Sequence, residues 1–115
     1  MKLITAVIKP TRLETVSAAL EASGFTGLTA TEVQGRGAQA GRTEYYRGQA
    51  HTVSFRTKIR LELLVTAEKL DAALAVLLEA ARSGEGGSIG DGKIWVTDVS
   101  HVVRVRTGET GPDAI

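Results

Sequence analysis

A glycine-flanked acidic residue followed by a lysine, Gly90-Asp91-Gly92-Lys93, is the first stretch of this sequence whose residue types could do chemistry. Glycines on both sides of an acid let successive backbone N–H groups converge on an anion, and the lysine adds a positive charge at the edge. A plain tight turn is the alternative, because Asp-Gly is also a common hairpin signal. Taken alone, the tetrapeptide favours the turn.

Two arginines near the end of the chain change this interpretation. Arg104 and Arg106 are separated by one residue in a segment predicted to be a strand, so both guanidinium groups should project from one face. Such a pair is more often a solvated edge. Together with Lys58 and Lys93, however, they supply four cations on or near predicted strand ends, enough to neutralise a triphosphate. We therefore predict a nucleotide phosphate site.

A long stretch, 35–58, separates two strand-like segments at 29–33 and 59–65. A hairpin connection needs only about 2–5 residues, and a much longer loop in a small domain is usually functional or disordered. The rest of the chain is therefore interpreted as a scaffold that holds this stretch out.

The long stretch contains several glycines and a pair of adjacent tyrosines. Gly35, Gly37 and Gly41 miss the spacing of the dinucleotide-binding fingerprint and no helix is predicted after them, so we interpret them as hinges. Two adjacent tyrosines and an arginine, 45–47, have the composition of a protein interface hot spot. A partly packed loop residue is an equally good interpretation of Tyr46 considered singly.

Composition bounds the class of protein. The chain has 115 residues, a net charge of +1 and no cysteine, which predicts a single domain spanning 1–115 without a disulfide framework. Its charge balance argues against coating nucleic acid or an anionic membrane. His51 and His101 lack an acid, base or nucleophile pattern, so no catalytic role is predicted for either. The apolar run 2–8 is too short for a membrane span and resembles no signal peptide, so a soluble cytoplasmic protein is expected.

The remaining sequence predicts the elements that position these groups. Residues 3–8 predict a buried central strand, and Thr11 with Glu14 predicts a capping box for a helix that ends at Gly24. The later segments are strands at 28–33, 59–65, 94–96 and 102–106, and a helix capped by Thr66 that runs through Arg82 and stops at Gly84.

Two βαβ halves of this kind predict an α+β fold, a ferredoxin-like split-βαβ sandwich with an antiparallel sheet and both helices on one face. The other face of the sheet would be uncovered. A homo-oligomer is therefore expected, since a small fold gains by burying that face against copies of itself.

By its residues the chain resembles the PII nitrogen-regulatory signal transduction proteins. The resemblance rests on separate blocks in the same order: the opening 1–10, Gly27-Leu28-Thr29, 32–35, 43–48, 90–96 and 104–109. It implies a non-enzymatic homotrimer of ferredoxin-like subunits with ATP or ADP bound in clefts between neighbours. It also implies a T-loop at about 37–55, a nucleotide-binding turn at about 84–93 and a C-terminal segment at 107–115.

The resemblance also implies roles for individual residues. Gln39 would complete the shell of a Mg²⁺ ion that bridges ATP and 2-oxoglutarate, with Gly41 beside the acid and Lys58 paired with one of its carboxylates. Tyr46 and Arg47 would contact the target, an ammonium transporter or a nitrogen-metabolism enzyme or regulator. The residues implied to hold the nucleotide are Val7, Thr29, Gly35, Gly37, Gly90, Asp91, Gly92, Lys93, Arg104 and Arg106.

Departures from the family pattern qualify these expectations. His51 replaces the modifiable tyrosine of many members and Gln49 replaces a serine that some members phosphorylate, so neither modification is available here. Ala38 and Ala40 stand where basic residues are common, which predicts weaker ATP or 2-oxoglutarate binding or a preference for ADP or AMP. The turn 84–89 is about three residues longer than usual.

Three alternatives to a nitrogen sensor follow from the same residues. The first is a divergent relative that binds adenine nucleotides and another small anion, such as bicarbonate, and acts on a partner outside nitrogen metabolism. The second is a phosphotransferase that uses one of the two histidines. The third is a purely structural oligomer, which would leave the predicted cation cluster without a purpose.

Overall fold

A computed structural model describes residues 1–37, 42–46, 49–53 and 55–115, and it describes the two short middle ranges by their strand pairing alone. Six strands and two α-helices lie in these ranges. The elements are β1 (Lys2–Ile8), α1 (Leu13–Ala22), β2 (Thr29–Gly35), β3 (Arg42–Tyr46), β4 (Gln49–Val53), β5 (Arg56–Val65), α2 (Leu70–Ala81) and β6 (Lys93–Asp98). Neither helix in the described part of the chain has the length and apolar character needed to cross a membrane.

Four of the strands form one antiparallel sheet in the order β2-β5-β1-β6, which confirms the predicted ferredoxin-like topology. The strand β1 lies in the middle, as its run of apolar residues predicted. Ile4 pairs with Leu63 and Ile8 pairs with Ile59. Since directly opposed residues share a face of the sheet, one face of β1 and β5 is lined by aliphatic side chains.

Both helices cover that aliphatic face. The buried core joins Ile4, Ile8 and Leu61 of the sheet to Leu20 of α1 and Leu77 of α2. Arg12, just before α1, ties the helices together, because its Nε and Nη2 atoms both donate to the Ala80 carbonyl oxygen at 3.0 and 2.8 Å. The prediction that the helices share one face of the sheet is therefore correct.

The starts of both helices differ from prediction. A 3-10 turn, Pro10–Arg12, precedes α1 and contains Thr11, so its hydroxyl makes no capping bond. Thr66 likewise caps nothing through its side chain, because its carbonyl oxygen accepts from the Lys69 N–H in a second 3-10 turn. The two predicted side-chain caps are therefore wrong.

Of the two predicted helix ends, the first agrees with the structure and the second differs from it by one residue. Gly24 has φ +89°, and the Phe25 N–H donates to the Leu20 carbonyl oxygen at 2.9 Å, which is the Schellman arrangement expected of a C-terminal glycine. The second helix ends at Ala81, because Arg82 has an extended backbone. The predicted extension through Arg82 is therefore wrong by one residue.

The long stretch between β2 and β5 contains regular structure, although the sequence predicted a loop. Strands β3 and β4 pair antiparallel, with Arg42 opposite Val53 and Tyr46 opposite Gln49. Two residues separate the strands, a common length for a hairpin connection. Threonine, tyrosine and valine favour strands, which is the signal that the glycine-rich composition obscured.

The predicted last strand at 102–106 is wrong. Residues 105–107 form a turn, and only a single bridge joins Val103 to Thr110. Gly108, at φ +74°, donates its N–H to the Arg104 carbonyl oxygen at 2.8 Å, while the Arg104 N–H donates to the Glu109 carbonyl oxygen at 2.9 Å. The segment therefore folds back on itself instead of joining the sheet.

Neither of the two described α-helices lies on the second face of the sheet. Thr5 of β1 lies on it, with Trp95 and Glu62 opposite on the neighbouring strands. Trp95 is 43% exposed in the single chain, although tryptophan is usually well buried. The expected uncovered face is therefore present.

Candidate functional site

A single carboxylate holds together the long turn between α2 and β6. Asp91 Oδ2 accepts the backbone N–H groups of Ser83 at 3.0 Å and Ser88 at 2.8 Å. Its Oδ1 atom accepts the hydroxyl groups of both serines. The glycine-rich segment 84–87 is thereby closed into a loop whose two ends meet at one side chain.

Lys9, directly after β1, completes this network. Its ammonium group donates to Ser83 Oγ at 3.1 Å and to Ser88 Oγ at 2.8 Å, and lies 3.2 Å from Asp91 Oδ1. The hydrogen bonds from Ser83 and Ser88, with the Lys9 bond, hold the pKa of Asp91 well below its usual range. Asp91 is thus an ionised organiser of the turn, and its carboxylate oxygens are already engaged.

The glycines on either side of Asp91 have backbone conformations that side chains rarely adopt. Gly90 has φ +91° and Gly92 has φ +100°. A Cβ atom at Gly92 would lie 1.7 Å from the Val7 carbonyl oxygen, so the backbone of the turn runs directly against β1. Lys93 then enters β6 opposite Val7. Sequence reasoning correctly placed a turn here, and the close approach explains why position 92 has no side chain.

Lys58 joins the same corner of the fold from β5. Its ammonium group donates to the Gly90 carbonyl oxygen at 2.8 Å. A Cβ atom on Gly35 would lie 3.2 Å from Lys58 Cγ, so the lysine stem runs close over the end of β2. Burial lowers the pKa of Lys58, and the positive charges of Lys9 and Arg56 lower it further. The corner therefore concentrates positive charge.

The four predicted cations do not meet within one chain. Lys58 and Lys93 lie where β1 ends, whereas Arg104 donates to Glu109 Oε1 at 3.0 Å and to the Ile115 carbonyl oxygen at 3.2 Å. Ile115 borders a cleft with Leu3, near the start of β1. Arg106 is exposed in the turn that follows Arg104. The prediction that both arginines project from one strand face is wrong, because the segment is a turn.

Thr29 lies far from the glycine-rich turn. It borders an open cleft of about 810 Å³ on the β2 side of the sheet, beside Glu62 and Leu64. Thr29 is on one edge strand and Lys93 is on the other, three strand spacings or roughly 14 Å away. Glu62 and Leu64 were not predicted as cleft residues, although their alternation with the core residues of β5 places them on this face.

Several predicted site residues lie outside the described part of the chain. These are Gln39, Gly41 and Arg47, together with the side chain of Tyr46. The same holds for Ala38 and Ala40 and for the side chains of Gln49 and His51. Gly37 is exposed, and nothing lies within 4 Å of where its Cβ would be. Within the described ranges, no group of three or more histidine or acidic residues could hold a metal ion.

The fold and the site together define a class of protein. It is a ferredoxin-like domain that carries a long paired arm between two strands and a glycine-rich turn beside a cationic corner. The model of the family described as "Nitrogen regulatory protein P-II" matches residues 1–109. A protein named "Nitrogen regulatory protein P-II" from Pasteurella multocida is 48% identical over 115 residues, covering all of both chains. A protein of the same name from Rhizobium etli is 47% identical over the same coverage. "Nitrogen regulatory protein P-II 2" from Methanothermobacter thermautotrophicus is 45% identical over all of this chain and 97% of its own.

This chain belongs to the P-II nitrogen regulatory protein family. The predicted family resemblance is thereby confirmed. Members of this family are signal-transducing regulators and not enzymes, and they act through protein partners. The prediction that this protein is not an enzyme is also confirmed.

Proposed function

We propose that this protein senses ATP or ADP, together with 2-oxoglutarate, and regulates nitrogen metabolism by docking its T-loop onto a target. The target would be an ammonium transporter or a nitrogen-assimilation enzyme or regulator. The observation that carries the proposal is the turn closed by Asp91. This turn places the segment 90–93 beside Lys58. Backbone N–H groups in glycine-rich turns and nearby lysines are suited to phosphate oxygens.

The proposal includes a homotrimer in which each nucleotide contacts two chains. Thr29 and Lys93 lie on opposite edges of the sheet, and Arg104 and Lys58 lie at opposite ends. One nucleotide could contact all these groups if neighbouring copies bring an edge of one sheet to the other edge of the next. Trp95, on the face without a helix, supports burial of that face against further copies.

The second effector would occupy the corner at Lys58. A lysine suits a carboxylate, and Mg²⁺ accepts oxygen ligands from phosphates, a keto acid and a side-chain amide. Gln39 would supply the amide oxygen, and Gly41 would lie beside the acid. Effectors that fix the base of the T-loop differently would shift its population of docked shapes, with Tyr46 and Arg47 at the contact.

Calorimetry on the purified protein tests the proposal. We expect ATP or ADP to bind, 2-oxoglutarate to bind in the presence of Mg²⁺ and ATP, and Lys93→Ala to weaken nucleotide binding at least tenfold. Asp71→Ala, at an exposed position in the first turn of α2, is the control that should leave binding unchanged. Light scattering should give three times the mass of one chain. If the protein binds neither ATP nor ADP, the proposal of a nucleotide sensor is refuted. If it binds nucleotide but does not bind 2-oxoglutarate, the alternative of a divergent relative that binds another anion, such as bicarbonate, is favoured.

A further inference from the structure

A second cation, Arg56, lies beside Lys58 on the same face of β5. The two residues are separated by one position, and side chains alternate between faces along a strand. Arg56 pairs across the sheet with Gly35, and Lys58 pairs with Val33. Because Gly35 has no side chain, the Lys58 stem can pass close over the end of β2, where a Cβ would lie 3.2 Å from Lys58 Cγ.

The guanidinium group of Arg56 has one donor, Nε, that is unpaired among the described residues. Its Nε atom is buried and has no hydrogen-bond partner within the part of the chain that the structure describes. A buried charged donor without a partner is unfavourable, and such groups in folded proteins usually face an ion, a water or a ligand. Arg60, two positions beyond Lys58 on the same face, differs in this respect because its Nε lies 3.6 Å from Glu62 Oε1.

The surrounding charges also favour an anion. Lys58 is affected by the positive charges of both Lys9 and Arg56, and the carboxylate in the group is Asp91. That carboxylate is already held by Ser83, Ser88 and Lys9. The negative charge of Asp91 is therefore compensated by its partners within the turn. The corner at Arg56 retains excess positive charge, which an anionic ligand would neutralise.

We infer that Arg56 and Lys58 together bind a small carboxylate-type anion, with the Arg56 guanidinium as a direct ligand. This inference rests on the proposed function, which places an acid at Lys58, and adds Arg56 as a residue that determines affinity and selectivity. The planar guanidinium can hold two oxygens of one carboxylate while the Lys58 ammonium group holds a second carboxylate, so the pair would favour a dicarboxylate over a monocarboxylate.

Calorimetry with defined anions tests the inference. Wild-type protein, Arg56→Gln, Arg56→Lys and the control Arg60→Gln would be titrated with ATP alone, and then with 2-oxoglutarate, pyruvate and bicarbonate in the presence of Mg²⁺ and ATP. The two glutamine variants remove one positive charge each from the same strand face, so they are matched in net charge.

We expect Arg56→Gln to weaken binding of the preferred anion at least tenfold while ATP affinity stays within twofold of wild type. Arg60→Gln should bind like wild type, and Arg56→Lys should be intermediate, because it keeps the charge and loses the fork. Equal anion affinity in Arg56→Gln and wild type would overturn the inference, as would equal losses in both glutamine variants. Wild-type protein that binds ATP and none of the three anions would also overturn it while leaving the nucleotide part of the proposed function intact. Should Arg56→Gln fail to fold, wild-type anion affinity in Arg56→Lys would count against the guanidinium as a ligand.

Discussion

The ammonium group of Lys9 and the carboxylate of Asp91 lie 3.2 Å apart, which joins the end of β1 to the turn before β6. Both side chains are largely shielded from solvent, and both also contact Ser83 and Ser88. The ion pair therefore belongs to a network that fixes the shape of the turn. Its effect on the fold and on the site can be separated by single substitutions.

Removing the charge of Asp91 should change how stability depends on pH. The folded-state pKa of Asp91 lies below its unfolded value, so its contribution to stability is complete above about pH 5 and declines as the pH falls from the unfolded pKa of about 4 towards and through the lower folded pKa. Urea unfolding of wild type and Asp91→Asn at pH 7, 5 and 3.5 measures this. We expect the variant to be less stable at pH 7 and the difference to narrow at pH 3.5. Asp113→Asn, on an exposed position, is the control. A constant difference across the three pH values would contradict the assignment.

A side chain at position 92 should disrupt the junction with β1. Gly92→Ala places a Cβ at 1.7 Å from the Val7 carbonyl oxygen and at φ +100°, so the backbone must move. We expect a loss of at least about 2 kcal/mol in the free energy of unfolding, measured by urea titration. Gly86→Ala is the matched control, because nothing lies within 4 Å of its Cβ position. Equal effects of the two substitutions would argue against the close approach.

The core between α2 and the sheet should depend on Leu77. This side chain is 1% exposed, whereas its neighbour Leu78 is 53% exposed. Leu77→Ala should cost about 2–5 kcal/mol, because it removes buried methyl groups and leaves a cavity. Leu78→Ala should cost less than about 1 kcal/mol. Thermal unfolding of both variants compares them directly, and similar melting temperatures would contradict the packing described.

The face of the sheet without a helix should determine assembly. Trp95→Asp introduces a charge on this face, and we expect it to reduce the assembled mass measured by light scattering. Ala75→Asp adds the same charge at an exposed position of α2 and should leave the mass unchanged. Circular dichroism would establish that both variants remain folded. An unchanged mass in Trp95→Asp would place the contact between copies elsewhere.

The sequence predicted the sheet well because β1 and β5 have clear apolar patterns and Gly24 ends α1 in the expected conformation. The predictions from sequence were wrong where two local sequence signals favoured different structures. Thr11 has the spacing of a cap, but Pro10 favours the 3-10 turn that contains it. In the last segment, valines alternate with arginines as in a strand, yet Gly108 permits the reversal that closes it.

The sequence predicted which residue types form the candidate site, but it did not predict how those residues are arranged in space. Gly90 to Lys93 could be recognised from residue types alone. The engagement of Asp91 could not, because its serine partners are brought to it only when the turn closes. The separation of Lys93 from Arg104 likewise depends on the sheet order and the C-terminal reversal, neither of which is visible in local spacing.

The separation of Lys93 from Arg104 within one chain has a consequence for assemblies that mix two variants. If a pocket draws its lysine from one protomer and its arginine from another, two defective subunits could compensate for each other in a mixed assembly. A Lys93 variant and an Arg104 variant, each inactive alone, would then regain binding when refolded together.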